Sequence, residues 1–534
     1  MAIKVGGTTV VSDARELSNI ASVDAATVTA LSEAGVGGGG SVDFVASGAI
    51  ANGDVVILKS NGTVGVVSET VSELNPVTLG TTTAFNSADT SWTSSVYDPD
   101  SQKIILAYRD NATSYPTAVV GTVSGTSISF GTPVVIQSVN SGKYMSVTYD
   151  TAADKPVFFF AKYFSGQKET GQAVVGTVSG TSISFGTVTD FENRSNPLVT
   201  DIDAAYDSGN SKHVIVWNNS VVTNRGSTAI VGTVSGTSIS FGTPTIYNSA
   251  STSTQWVVYD ANAGKVLVGY RVQDGANNTY VGTVSGTSIS FGSPTSIATR
   301  TESTTGIYDP VSQKILVAYF DGSSGNQTGV TKVATISGTT VSYGNAVNFQ
   351  NGDGGDYGEI AIAYSSVTGS FLISYCDFDA SREIILRRGT ISGTTASFQT
   401  AVQTGLLEAP SRMGLTYDTA SGKFALLFGQ DDAGDVGTGV VITETSVVTD
   451  AADYIGLAAE AISDTATGAV TIDGGVNEGQ SGLTIGATYY VADNGDLQTT
   501  NNGRKIGRAI SATEILVDSA MSGDEMNAYL GSLV

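Results

Sequence analysis

Short apolar runs alternate with short polar segments along this chain, and one such pattern recurs seven times. Each copy opens on a tyrosine: Tyr97, Tyr149, Tyr206, Tyr259, Tyr308, Tyr364 and Tyr417. Aspartate follows in every copy but the sixth, where Ser365 stands. Six residues after the tyrosine comes Lys103, Lys155, Lys212, Lys265, Lys314, Ser370 or Lys423. Five further on lies an aromatic residue, Tyr108, Phe160, Trp217, Tyr270, Tyr319, Tyr375 or Phe428. The residues between are β-prone, as in Ile104-Ile105-Leu106-Ala107. With Asp98-Pro99-Asp100-Ser101-Gln102 as turn chemistry, the pattern predicts strand, hairpin loop, strand.

A second block supplies another hairpin. Val-Gly-Thr-Val-Ser-Gly-Thr-Ser-Ile-Ser-Phe-Gly runs unchanged from Val120, Val175, Val231 and Val281, with weaker versions from Val333 and Gly389. Its Ser-Gly-Thr centre is the turn, because glycine takes a positive φ at little cost. Four short strands over about 49 to 57 residues, judged from the tyrosine spacings, match the size of a propeller blade, and seven copies fall within the usual range of about four to eight. The seventh copy ends at Gly437-Thr438-Gly439-Val440-Val441-Ile442-Thr443 without a Ser-Ile-Ser-Phe-Gly strand, whereas Pro76-Val77-Thr78-Leu79-Gly80-Thr81-Thr82 precedes the first tyrosine and resembles that missing strand. The N-terminal strand is therefore expected to complete the last blade and remove a free sheet edge. An open solenoid would explain the repeat but not this complementarity.

The recurring tyrosine, lysine and aromatic positions suit packing between neighbouring copies, and the lysine beside the aspartate turn reads as a local ion pair or a stem lying along the surface. Function is expected where copies differ, in the rim loops.

The expected domains are 1–40, an N-terminal anchoring segment; 41–74 and 448–520, two halves of one small β-domain; 75–447, the propeller; and 521–534, a tail. In the first, Leu17, Ile20, Val28 and Leu31 would share one helical face before the linker Gly35-Val36-Gly37-Gly38-Gly39-Gly40. The fold class is all-β, a seven-bladed β-propeller inserted into a small β-domain.

Composition agrees with that reading, since charged residues make up only 14% of the 534 and glycine reaches 64. A net charge of −24 repels phosphate backbones, so no nucleic-acid partner is expected. No apolar run approaches the roughly 18 residues of a membrane span, and Met1-Ala2-Ile3-Lys4-Val5-Gly6-Gly7 lacks a secretion signal's apolar region. Synthesis in a cytoplasm without membrane insertion is the expectation. The lone cysteine, Cys376, cannot form an intrachain disulfide, and the lone histidine, His213, sits in the strand-like run Lys212 to Trp217 as a structural residue.

No catalytic residues and no cofactor are expected. The acidic loop Asn351 to Glu359 offers calcium candidates, Asp353, Asp356 and Glu359, although it departs from the EF-hand pattern and a solvated loop also accounts for it. The arginines of the propeller (Arg109, Arg194, Arg225, Arg271, Arg300, Arg382, Arg387, Arg388 and Arg412) form no visible set by spacing.

The flanks carry a family resemblance. Gly482-Leu483-Thr484-Ile485-Gly486-Ala487-Thr488-Tyr489-Tyr490-Val491, with Asn494-Gly495 and Gly507-Arg508-Ala509-Ile510-Ser511-Ala512-Thr513, resembles a module of bacteriophage tail fibres and other virion structural proteins. The opening from Ile3 to Ile20 is similar to the start of fibre-like proteins from phages of marine bacteria and cyanobacteria. The propeller itself lacks the Gly-Gly signature of kelch repeats, the Trp-Asp of WD40 and the Asp-box of sialidases. The resemblance implies a virion structural protein, a tail fibre or capsid appendage. Other virion proteins would hold residues 1–40, the chain would form an oligomer such as a trimer, and the propeller would meet a host-surface glycan or protein. The alternatives are a virion-associated glycan hydrolase or lyase and a purely structural decoration protein.

Overall fold

A computed structural model describes residues 3–5, 8–11, 40–59, 63–67, 69–70, 77–164, 168–192, 198–219, 226–250, 252–272, 277–322, 327–350, 357–377, 382–407, 412–430, 436–444, 448–449, 454–492 and 494–518. The described chain is all-β, with many antiparallel sheets. It divides into two compact bodies, one of residues 1–72 with 446–534 and one of residues 73–445.

In the first body, Ser41–Val45 pairs with Thr467–Thr471 and Val55–Leu58 pairs with Tyr454–Ala458, so strands from both ends of the chain share one sheet. A second sheet holds Thr488–Val491, Lys505–Ala509 and Ile515–Val517. Val55, Ile57 and Leu457 of the first sheet pack with Tyr489, Ile506 and Ile515 of the second. Gln480 Nε2 donates to Gly53 O at 2.9 Å. Ile3–Val5 and Thr8–Val11 form an antiparallel pair. The helical face proposed for Leu17 to Leu31 lies outside the described residues.

In the second body the seven copies, here repeats one to seven in tyrosine order, form antiparallel sheets, those of repeats one and seven being continuous through Thr83–Asp98. Their first strands are Thr83–Asp98, Ser141–Asp150, Val199–Asp207, Ser253–Asp260, Thr301–Asp309, Tyr357–Tyr364 and Gly414–Asp418. Each first strand lies against the next in that order, and the seventh lies against the first. In repeat three, the second strand Lys212–Asn219 is buried along almost its whole length because both faces are covered. Ile215 and Trp217 pack toward repeat two, whereas Val214 and Val216 pack toward repeat four. Burial on both faces accounts for an unbroken apolar run where a half-exposed strand would alternate. Seven apolar clusters fill seven inter-repeat spaces, and the last joins Ile104, Leu106 and Tyr108 to Ala425, Leu427 and Val441 of repeat seven.

Each invariant tyrosine reaches the first turn of the preceding repeat, an aspartate turn in every case but that of Tyr417. Ala152 N donates to Tyr206 Oη at 3.2 Å and Gly209 N donates to Tyr259 Oη at 3.1 Å. Tyr149, Tyr308 and Tyr364 sit beside Asp98, Asp260 and Asp309, Tyr417 beside Ser365, and Tyr97 beside Asp418 of repeat seven. The aspartates also cap their own turns, as Asp150 Oδ1 does for Ala152 N at 3.0 Å and Ala153 N at 2.9 Å. The carboxylate expected to pair with a lysine is thus engaged by turn amides.

Five strands, not the expected four, make up these sheets. In repeat three the third strand, Gly226–Ser235, is long enough to pair with Ser238–Phe241 along one half and with a fifth strand, Thr245–Asn248, along the other. Repeat seven takes both outer strands from the start of this body. Val77–Leu79 pairs with Val436–Glu444, and the first half of Thr83–Asp98 pairs with the same strand before continuing into repeat one. Pro76 lies outside the described residues.

The departures in repeat six converge on one place. Arg388 stands where five other repeats have the valine that opens the second block, and its Nε meets Glu444 Oε1 at 2.7 Å with both side chains buried. Ser370 and Thr368 also donate to Glu444. Serines in place of the usual aspartate and lysine accommodate this buried pair.

The glycine ending the second block is fixed by a close approach. A Cβ on Gly186 would lie 1.8 Å from Thr237 O in the Ser-Gly-Thr turn of the next repeat, and Gly80, Gly131, Gly242, Gly292 and Gly344 repeat this geometry. Repeat six has Gln399 instead, and it faces repeat seven, whose sequence lacks that turn. We predict that Gly186→Ala lowers stability by about 3 kcal/mol through overpacking against backbone, whereas Gly180→Ala, with open space but a φ of +59°, costs about 1 kcal/mol. Thermal unfolding of the two variants checks the order.

Candidate functional site

The first strands pair antiparallel with the second strands, so two kinds of connection are sorted to opposite rims. At one rim the turns are uniform, with four residues between Asp98 and Lys103, Asp150 and Lys155, or Asp207 and Lys212. At the other, the connections from second to third strand vary, from three residues between Phe164 and Lys168 to six between Asn219 and Gly226. Variation is confined to this loop rim.

Five residues before each tyrosine, at the loop rim, lie Trp92, Tyr144, Asp201, Thr254, Ser303, Glu359 and Arg412. In repeats one to six these residues fall within a β-bulge, where the register shifts. A bulge turns the extra residue out of the ladder and re-aims its side chain. Trp92, Tyr144, Asp201 and Thr254 have φ of 57°, 52°, 53° and 47°, a left-handed conformation costing roughly 1–2 kcal/mol in a non-glycine residue.

Neighbouring members touch. The Trp92 and Tyr144 rings stand 4.5 Å apart at 57°, and the Arg412 guanidinium lies 5.8 Å from the Trp92 centroid. Arg412 Nη1 donates to Ile202 O at 3.1 Å, and Ser303 Oγ to Glu359 Oε2 at 3.3 Å. The Thr254 amide donates to Asp201. Trp92, Tyr144 and Arg412 are each half-buried, leaving part of their surface to solvent.

Between the first strands lies a cavity of about 280 Å³ to which all seven contribute, including Ser94, Ser146, Asp203, Gln255, Thr305, Glu359 and Leu415. Asp203 accepts from Val257 N at 3.0 Å and Ser146 Oγ at 3.3 Å. Burial nevertheless holds the Asp203 and Asp201 carboxyls above the usual carboxylate range, against the opposing pull of Arg412. Burial raises the Tyr144 hydroxyl as well, and Asp201 and Glu169 add to that.

Of the calcium candidates, Glu359 lines this cavity, while Asp353 and Asp356 lie outside the described residues. Among the described residues no group of three or more His, Cys, Asp or Glu is placed to hold a metal ion, and no helix is long and apolar enough to cross a membrane. Arg271, Arg300 and Arg412 form a set that spacing concealed. Arg271 Nη2 meets Glu302 Oε2 at 2.6 Å, Arg300 Nη2 meets Glu302 Oε1 at 2.9 Å, and both Arg271 and Arg412 act on Asp201. Arg194 and Arg225 lie outside the described residues. Cys376 is buried. Sequence reasoning missed the ring of bulge residues because it followed recurrence, whereas the signal is a fixed offset with changing identity.

His213 is buried in repeat three, its Nδ1 3.0 Å from Thr148 Oγ1 and its Nε2 3.2 Å from Asp150 Oδ2. Burial lowers its pKa, and Asp150 only partly offsets this. The imidazole is therefore neutral, with Nε2–H donating to Asp150 and Nδ1 accepting from Thr148. Burial pushes Asp150 up, but hydrogen bonds from His213, the Ala153 amide and Tyr206 outweigh it and bring the carboxyl down to about 2.

No family model matches the chain, and no curated protein matches it. Solved structures do. A protein of unknown function from Dyadobacter fermentans is 10% identical with a TM-score of 0.41, covering 69% of this chain and 100% of its own. The NanB sialidase from Streptococcus pneumoniae is 12% identical with a TM-score of 0.38, covering 69% of this chain and 71% of its own. At these scores the likeness carries neither an activity nor a ligand to this chain.

The His213 environment gives a signed pH dependence. Its folded pKa is lowered, so below an unfolded value of about 6.5 the unfolded chain binds a proton that the folded chain refuses, and stability falls with pH. His213→Gln removes this contribution, leaving those of Asp201 and Asp203 in place. The stability difference between wild type and variant is predicted to shrink from pH 7.5 to 5, by at most about 1.4 kcal/mol per pH unit below 6.5. Thermal unfolding across that range measures it.

Proposed function

We propose that this chain is a bacteriophage virion appendage protein whose second body is a seven-bladed β-propeller presenting a host-surface saccharide site at its loop rim. The cyclic order of first strands, the seven inter-repeat clusters and the outer strands supplied to repeat seven support the closed propeller. The virion setting is supported by the resemblance of Gly482 to Val491 and Gly507 to Thr513 to phage fibre modules. In that setting residues 1–40 would attach to other virion proteins, and the chain would assemble as an oligomer.

One observation carries the binding reading. Positions tied to packing recur around the ring, while the bulge position changes from Trp92 to Tyr144, Asp201, Thr254, Ser303, Glu359 and Arg412. Packing alone gives no reason for seven different residues at one offset. A half-exposed tryptophan and tyrosine beside an arginine and two carboxylates combine an apolar face with directional hydrogen-bonding groups, the needs of a saccharide ring.

A glycan hydrolase has one observation in its favour. Asp203, in the cavity with Glu359, has its carboxyl held above the ordinary range, as a general acid requires. Incubating the purified protein with host-surface polysaccharide separates the two readings. We predict retention of polysaccharide without release of oligosaccharides, and at least tenfold weaker retention by Trp92→Ala, a loss of about 1.4 kcal/mol or more. Release of oligosaccharides would replace the binding reading with the hydrolase. Unchanged retention by the variant would remove the site from the loop rim.

A further inference from the structure

We infer that the saccharide bound at the loop rim is uncharged. This rests on the binding reading above and adds the chemical class of the ligand. The rim is rich in ionic groups, but they are committed to one another. Arg412 is held over the Trp92 ring, donates to Ile202 O, and acts on Asp201 and Asp203. Arg271 and Arg300 share Glu302. Lys143 Nζ meets Glu169 Oε1 at 2.9 Å.

A carboxylated sugar would have to compete with Ile202 O and the Trp92 ring for Arg412, and with Glu302 for Arg271 or Arg300. It would also approach a chain carrying a net charge of −24, which opposes anion encounter. An amine-bearing sugar fares little better. An ammonium would have to shed its water and share Asp201 and Asp203 with the Arg412 guanidinium that already acts on them.

An uncharged sugar needs no such exchange. Carboxylate oxygens retain free lone pairs for hydroxyl donors while keeping their present bonds. Thr254 and Thr304 in the cavity wall add hydroxyls, and the Trp92 and Tyr144 rings offer surface to the C–H face of a pyranose.

Intrinsic fluorescence provides a local readout, with Trp92→Phe as control. The full chain is titrated with matched oligosaccharides that are neutral, uronic-acid-bearing or amine-bearing, at low and high salt. We expect the neutral member to bind at least tenfold more tightly than either charged analogue, with affinity changing less than about twofold across the salt range and the fluorescence response lost in Trp92→Phe. Tighter binding of the uronate with affinity falling as salt rises would overturn the inference while leaving the binding reading in place. So would tighter binding of the amine-bearing sugar that Glu359→Gln abolishes. Binding of none of the three would overturn both.

Discussion

The packing of the repeats depends on one constraint: no repeat can bury its own second strand. In repeat one, Ile105 and Ala107 face repeat two, while Ile104, Leu106 and Tyr108 face repeat seven. If the seventh repeat did not lie against the first, Ile104, Leu106, Tyr108, Val119 and Ile128 would lose their cover. At about 2 kcal/mol for each side chain, such an edge costs on the order of 10 kcal/mol. That is comparable to the net stability of a whole domain. Contact between repeats seven and one is therefore favoured by packing, and the strands around Val77 and Thr83 complete the sheet that lacks outer strands of its own.

The same constraint separates what is fixed from what is free. Tyrosine and aspartate join each repeat to its predecessor, and the glycine after the second block must pass close to the next turn. These demands hold the turn rim constant. In repeats one to six a β-bulge lifts one residue out of the ladder, and although Trp92 and Tyr144 rest against the apolar clusters beside them, the position takes a different residue in each repeat. A site built there can change without disturbing the packing that carries it. The left-handed φ at Trp92, Tyr144, Asp201 and Thr254 is a cost met by a scaffold with both faces of its second strands buried.

Much of this scaffold could be read from the sequence because packing repeats itself in the letters. The tyrosine offsets gave the first two strands, the Ser-Gly-Thr block gave the next hairpin, and the aromatic eleven residues after each tyrosine is buried in every repeat. The fifth strand was not legible, since its segments, Thr245–Asn248 and Val402–Leu407 among them, share little beyond alternation. Nor was the role of Gln399, whose meaning depends on a turn missing from the next repeat. The irregular residues Ser365, Ser370 and Arg388 looked like decay of the pattern, yet they surround Glu444 on another strand. At the site, Glu359 had been singled out for calcium, whereas the structure places it at the cavity with Ser303. Trp92 and Arg412 carry no local signal, because each touches the other across repeats one and seven and their further neighbours, Tyr144 and Ile202, lie in repeats two and three.

Closure is the claim on which the ring, its constant rim and its variable rim all stand. Thr78 and Thr443 are opposite one another in the pairing of the entering strand with repeat seven, a separation that a disulfide can span. A chain carrying Thr78→Cys and Thr443→Cys should, on mild oxidation, give an intramolecular disulfide between the peptides containing these residues, identified by mass spectrometry of the monomer. An open array, with repeat one and repeat seven apart, would give only reduced thiols or links between chains, and that result would contradict the closed ring.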